Sequence, residues 1–166
     1  MITKEFIIKY FEHGIKNKSN CGIGIEHEKF VFSNGKRVDY QSILNLFEKL
    51  YEFGWKPVKE GENIISLKKG KKNITLEPGN QIELSGEKLK NIHQTCGESQ
   101  EYLFELNQSL NKLNFNLISS GFDPISKIEE IPSNPKNRYE IMTKVMPLFG
   151  KLSLDMMYRT CGTQLN

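Results

Sequence analysis

The run Gly22-Ile23-Gly24-Ile25-Glu26-His27-Glu28-Lys29-Phe30-Val31-Phe32, followed by Asn34-Gly35, decides how this chain is expected to fold. β-branched and aromatic residues favour a strand over 22–32. Asn-Gly is the strongest short hairpin signal, because a tight hairpin turn needs residues that accept positive φ. Side chains of a strand alternate, so Ile23, Ile25 and His27 share one face, and Gly24, Glu26, Glu28 and Phe30 the other. Two carboxylates on one face, about 7 Å apart, repel each other unless water or a cation lies beside them. The glycines ahead of them leave room for a ligand to approach the backbone. His27, turned away from the acids, reads as packed rather than ligating.

Working outward, Thr3 to Gly14 spaces Phe6, Ile7, Tyr10 and Phe11 on one helical face, with Thr3 as N-cap. A second helix is expected from Asp39 to Phe53, closed by Gly54. From Asn63 to Ser85 short strands are broken at Lys69-Gly70-Lys71 and Pro78-Gly79. A long helix follows from about Glu87 to Asn114, with an apolar stripe of Leu89, Ile92, Cys96, Leu103, Leu106, Leu110 and Leu113. His93 lies beside that stripe and reads as packed. Phe115 to Phe122 reads as a strand, Asn137 to Met146 as a short helix stopped at Pro147, and Met156 to Asn166 as a final strand. Hairpins mixed with helices, without regular βαβ alternation, predict an α+β domain on a largely antiparallel sheet.

Composition excludes several classes. The chain has 166 residues, 37% of them hydrophobic and 26% charged, which fits one globular unit. No apolar run approaches the roughly 18–20 residues of a bilayer span, so no membrane partner is expected. The first residues show neither a secretory signal nor an Arg-rich transit peptide. The net charge of +3 is mild. The basic stretch Lys68-Lys69-Gly70-Lys71-Lys72 has no interleaved aromatics for stacking bases, so it reads as a solvated hairpin tip and not as a nucleic-acid site. Three cysteines without CxxC spacing argue against a disulfide framework or a zinc site and fit a reducing cytoplasm.

A second group of acids lies in Leu76-Glu77-Pro78-Gly79-Asn80-Gln81-Ile82-Glu83-Leu84, where Glu83 shares a face with Gln81 and Glu77 precedes the turn. Unpaired carboxylates are costly to bury, so this many within strands imply solvent or metal. All-oxygen ligation suits Mg²⁺, which takes one or two carboxylates plus substrate phosphates. Spacing alone leaves both readings open: a magnesium site, or a sheet with one wet face.

The same residues carry a resemblance. Ile23-Gly24-Ile25-Glu26-His27-Glu28-Lys29-Phe30 resembles a segment of the plant-type glutamate–cysteine ligases, found in plants and many bacteria. Further similar motifs follow in order: Leu76-Glu77-Pro78-Gly79 with Gln81, Glu83-Leu84-Ser85-Gly86, His93-Gln94-Thr95-Cys96, and Arg138-Tyr139 with Ile141-Met142. Then come Met146-Pro147, Leu154-Asp155-Met156-Met157, and Arg159-Thr160-Cys161 with Gln164 and Asn166. The resemblance covers essentially the whole chain, as an N-terminal part, since family members continue well beyond Asn166. A strand ending there with no turn or cap also looks cut.

The resemblance implies a glutamine-synthetase-like fold: a curved antiparallel sheet backed by helices, with the active site on its concave face. Glu26, Glu28, Glu77 and Glu83 fall on positions that resemble the Mg²⁺-binding carboxylates, Glu26 and Glu28 also being the catalytic candidates. Arg138 falls on an arginine that holds the cysteine substrate, with Tyr139 and Met142 beside it, and Arg159, Thr160 and Gln164 on a motif lining the substrate site. The implied reaction is the first step of glutathione biosynthesis: ATP phosphorylates the γ-carboxylate of glutamate, and the amino group of cysteine displaces phosphate from the γ-glutamyl phosphate. An arginine suits an amino-acid carboxylate because its fork donates two parallel hydrogen bonds. Cys96 falls on a cysteine that forms a regulatory disulfide in plant enzymes, with a partner beyond Asn166; the stripe instead reads it as a small buried hydrophobe. A related ligase using another amine acceptor, a ligand-binding module, and a fragment that needs its missing C-terminal half as a second chain are the alternatives.

Overall fold

The computed structural model describes residues 2–16 and 21–166. The chain order is α1 (Lys4–His13), β1 (Ile25–Ser33), β2 (Lys36–Arg37), α2 (Tyr40–Leu50), β3 (Lys56–Glu60), β4 (Asn63–Lys69), β5 (Lys72–Leu76), β6 (Ile82–Ser85), α3 (Ile92–Asn111), β7 (Asn116–Ile118), α4 (Asn137–Val145), α5 (Ser153–Arg159) and β8 (Thr163–Leu165). One open eight-stranded sheet runs β2-β1-β6-β5-β4-β3, with β7 and β8 also on β1. Every strand pairing is antiparallel, as expected for an α+β chain built from hairpins.

Local chemistry sets the corners. Asn34 and Gly35 take φ of 50° and 75° and close the β1–β2 hairpin, as their sequence demands. Asp39 caps α2 by accepting from the Ser42 amide at 2.8 Å, and Thr3 caps α1 by accepting from the Phe6 amide at 3.2 Å. Gly54, at φ 87°, ends the short 3-10 turn Tyr51–Phe53 that follows α2.

One face of the sheet carries Val31, Leu67, Ile74, Leu76, Ile82 and Leu84. They pack against Ile43, Leu46, Phe47 and Leu50 of α2 and Tyr102, Leu106 and Leu110 of α3, with Trp55 between. A smaller cluster of Ile131, Met157 and Tyr158 sits under α4 and α5 with Met142, Met146 and Leu154. The two clusters are joined by Arg37. Its guanidinium, 4.5 Å over the Phe30 ring, pairs with Asp123 at 3.2 Å and donates to the Tyr158 and Gly79 carbonyls.

Several expectations are corrected. The first strand begins at Ile25, not Gly22, and Ile23 makes only an isolated bridge to Leu89. A Cβ on Gly22 would lie 2.7 Å from the Leu89 carbonyl, so this glycine admits a neighbouring backbone rather than a ligand. Residues 156–159 of the expected last strand belong instead to α5, Ser153–Arg159, and Thr163–Leu165 form the strand. The long helix starts at Ile92, and its buried side is Thr95, Glu98, Tyr102, Glu105, Leu106, Ser109 and Leu110. Cys96, Ile92 and His93 are therefore exposed, because the helix turns a partly polar side to the sheet. Nor is the basic tip simply solvated: Lys69 and Lys72 pair with Glu101 at 2.8 and 2.7 Å, and Lys69 also with Glu105. Two hydrogen-bonded ammonium groups hold the Glu101 carboxyl down to about 2. Pro147 does not end α4 abruptly but enters a 3-10 turn, Met146–Leu148.

Candidate active site

The face of the sheet opposite α2 and α3 carries the acids. Register puts Glu28 directly across from Glu83, and Glu83 across from Thr75. The next row sets Glu26 between Ser85 and Gln164. Cross-strand partners point to the same side, so the alternation of β1 and β6 alone gathers three carboxylates from two strands. Glu77 joins them from the turn after β5. The Thr75 and Ser85 hydroxyls both donate to one oxygen of Glu83, at 3.1 and 2.6 Å. Glu28 accepts from the Gly162 amide at 2.7 Å, and Glu26 from the Asn166 side chain at 3.2 Å.

Two of these acids, Glu28 and Glu77, are poorly compensated. Burial, then the charges of Glu83 and Glu26, push the Glu28 carboxyl above the ordinary range, against the Gly162 hydrogen bond. Glu77 is raised by burial and by Glu83 and Glu28, although Lys136 and Arg138 oppose this.

Beside the acids lies a cleft of about 290 Å³, lined by Glu28, Glu77, Arg138, Tyr139, Met142 and Thr160, with Pro78, Gln81, Met156 and Met157. Arg138 stands 3.8 Å from Glu77, with its side chain 63% exposed. Its guanidinium lies 4.6 Å over the Tyr139 ring and donates to the Tyr139 hydroxyl at 2.5 Å. That hydroxyl in turn donates to the Leu76 carbonyl at 3.0 Å, so a buried tyrosine orients an exposed arginine.

Of the residues singled out from sequence, six meet in this cleft. Glu83 and Glu26 lie along the same sheet face, and Gln164 is exposed at its β8 edge. Arg159 points elsewhere: it pairs with Asp155 at 2.9 Å, donates to the Asp123 carbonyl, and stacks 4.4 Å over Phe122. Cys96 lies on the outer side of α3, where its sulfur accepts from Gln100 at 3.6 Å. Lys136 gave no sequence signal. It is buried, and its ammonium donates to the Leu76 carbonyl at 2.6 Å, next to Glu77. Only a fold that brings segment 134–139 onto β5 reveals it.

The model of glutamate-cysteine ligase family 2 (GCS2) matches residues 22–166. The chain belongs to that family. It is 44% identical to the chloroplastic glutamate–cysteine ligase of Nicotiana tabacum, 45% to that of Medicago truncatula and 43% to that of Arabidopsis thaliana, each over 99% of this chain. It covers 32%, 33% and 32% of those proteins, so it spans about a third of the length of the curated relatives it matches.

For a family-2 chain, the fit of the acid face to Mg²⁺ has a physical test. The donors are all hard oxygens, and the raised Glu28 and Glu77 carboxyls show uncompensated negative charge that a divalent cation would relieve. Among the described residues no three His, Cys, Asp or Glu groups converge closely enough to enclose an ion alone. Mg²⁺ takes one or two carboxylates and completes its shell with waters and substrate oxygens, and the hard-oxygen donors here fit the ion only in that mode.

Proposed function

We propose that this chain supplies the carboxylate face and the acceptor-binding arginine of an ATP- and Mg²⁺-dependent glutamate–cysteine ligase, acting in a reducing cytoplasmic compartment. The observation that carries the reading is the cleft itself: separate motifs around residues 28, 77, 138 and 160 converge on one space that holds two acids and an exposed guanidinium 3.8 Å from one of them. Family membership and the activity for which the relatives are named support this reaction.

Carboxylates drawn from Glu26, Glu28, Glu77 and Glu83, no more than two to an ion, would hold Mg²⁺, which when bound draws charge off phosphate oxygens that would otherwise repel the glutamate carboxylate. Arg138 takes the α-carboxylate of cysteine in a bidentate pair, on a guanidinium whose plane Tyr139 fixes. Met142, on the cleft wall, offers its polarizable thioether as an apolar contact for the substrate side chain. Thr160 also lines the cleft. Cysteine is thereby held beside the acids, where its amino group displaces phosphate from the γ-glutamyl phosphate. Holding the two reactants in register is the larger share of this chain's contribution. The relatives are about three times as long, so the complete reaction draws on sequence outside these 166 residues, in the same polypeptide or a second chain.

Calorimetric titration of cysteine into the chain tests the assignment. The wild-type chain takes up cysteine, and Arg138→Ala loses about 10- to 100-fold in affinity, the worth of a charge-assisted hydrogen-bonded pair. Equal binding by the two proteins, or no uptake by either, would sink it.

A further inference from the structure

Gln81 is buried at the cleft, and both N–H groups of its amide are engaged. Its oxygen accepts from the Gly79 amide at 2.8 Å. Its nitrogen donates to two carbonyls at the end of α5, Met157 and Thr160, both at 3.1 Å. Gly79 lies in the turn that carries Glu77. Thr160 lies two residues before Gly162, whose amide holds Glu28. One neutral side chain therefore spans the turn that carries Glu77 and the segment that hydrogen-bonds Glu28.

The surroundings leave that bridge little slack. A Cβ at Gly79 would stand 2.8 Å from Ile131, 3.1 Å from the Gln81 oxygen and 3.1 Å from the Tyr158 carbonyl, so the turn sits hard against α5. α5 has only seven residues, and its terminal carbonyls have no partners within the helix. Gln81 takes those of Met157 and Thr160, Arg37 takes that of Tyr158, and the Asp123 amide takes that of Arg159 at 2.8 Å.

We infer that Gln81 is a positioning residue: its amide locks the Glu77 turn to the segment that hydrogen-bonds Glu28, so that the two carboxylates are held as a pair. The inference rests on the reading of Glu28 and Glu77 as ligands of a divalent cation. The amide itself is held by backbone at both ends: Gly79 on its oxygen, Met157 and Thr160 on its nitrogen.

The test uses the whole chain with Gln81→Met, which keeps the volume and removes the amide. Gln81→Asn, which keeps an amide but shortens its reach by one methylene, is the milder variant should the first not fold. Two quantities are read at a temperature where the protein is fully native. Amide exchange of Gly162 is expected to quicken about tenfold or more in either variant, while the β6 amide of Leu84 stays at its wild-type rate. Mn²⁺ affinity, read from the electron spin resonance of the free ion, is expected to fall about tenfold, the cost of re-ordering a loosened pair. Unchanged exchange at Gly162 overturns the inference whatever the metal does. A wild-type chain that holds Mn²⁺ with unchanged affinity in the variants also overturns it and leaves the metal reading standing. A wild-type chain that holds no Mn²⁺ removes the metal reading, and the role for Gln81 falls with it.

Discussion

Replacing Arg37 by Met removes one member of the pair that ties the two cores together. The side chains of Arg37 and Asp123 are 1% and 0% exposed, so solvent does little to screen or replace the lost partner. Breaking such a pair leaves a buried charge and costs about 3–5 kcal/mol. Two terms then nearly cancel. Asp123 keeps the Ile125 and Ser126 amides, at 2.9 and 3.0 Å, which lessens the loss. The Gly79 and Tyr158 carbonyls lose a donor, which adds about 1 kcal/mol each. A loss of about 4 kcal/mol is expected, or about 12 °C in Tm at the 2–4 °C per kcal/mol usual for a chain this long. Urea unfolding read by tryptophan fluorescence measures it, Trp55 being buried in the main core. The Arg37→Met and Asp123→Leu double variant should recover part of the loss, because no charge is then stranded. A loss below about 1 kcal/mol at an unchanged m-value refutes the reasoning, since the pair would then be no more than a surface contact.

Glu77→Gln should raise Tm at pH 7. A carboxyl lifted above its unfolded value folds more readily when protonated, so its ionised form destabilises above the folded pKa and the gain vanishes as pH falls through the carboxylate range. A lower Tm at pH 7 would contradict this. Leu106→Ala, at a fully buried position of α3, should cost about 2–5 kcal/mol in the same urea titration, and a cost under 1 would mean that α3 is not seated on the sheet. Alkylation by iodoacetamide at pH 8 should modify exposed Cys96 well before Cys161, whose thiol burial and the nearby Glu28 push up to about 12. Mass spectrometry of the digests decides the order.

Much of the frame was legible because it rests on local chemistry: the caps Thr3 and Asp39, the Asn34-Gly35 turn, and the break at Pro78-Gly79. The acid face was legible for the same reason, since alternation along β1 and β6 fixes which carboxylates share a side. What escaped depends on distant partners. β3, with Lys56, Pro57 and Lys59, has no apolar alternation, and it pairs as an edge strand that such residues keep from further pairing. α5 contains residues that favour strands, and tertiary contacts settle it as a helix by burying Met157 and Tyr158. Cys96 was misjudged because Thr95, Glu98 and Glu105 turn inward, and Glu105 does so to accept from Trp55 at 2.7 Å. Arg37, Gln81 and Lys136 act on backbone carbonyls from remote segments, and no spacing rule signals such a meeting.

β1 is paired on both sides by segments far along the chain. Its Glu28 waits for an amide 134 residues later, and Glu26 for a side chain 140 residues later. The hairpins from β3 to β6 close over short loops and can form while the chain is still emerging from the ribosome. The β1–β8 ladder must close a loop more than ten times longer, which makes it slow by loop entropy alone. During synthesis the acid face therefore stands open on its β8 side until almost all of these residues have been made. An ordered Glu26–Glu28 pair exists only after the rest of the sheet has been laid down.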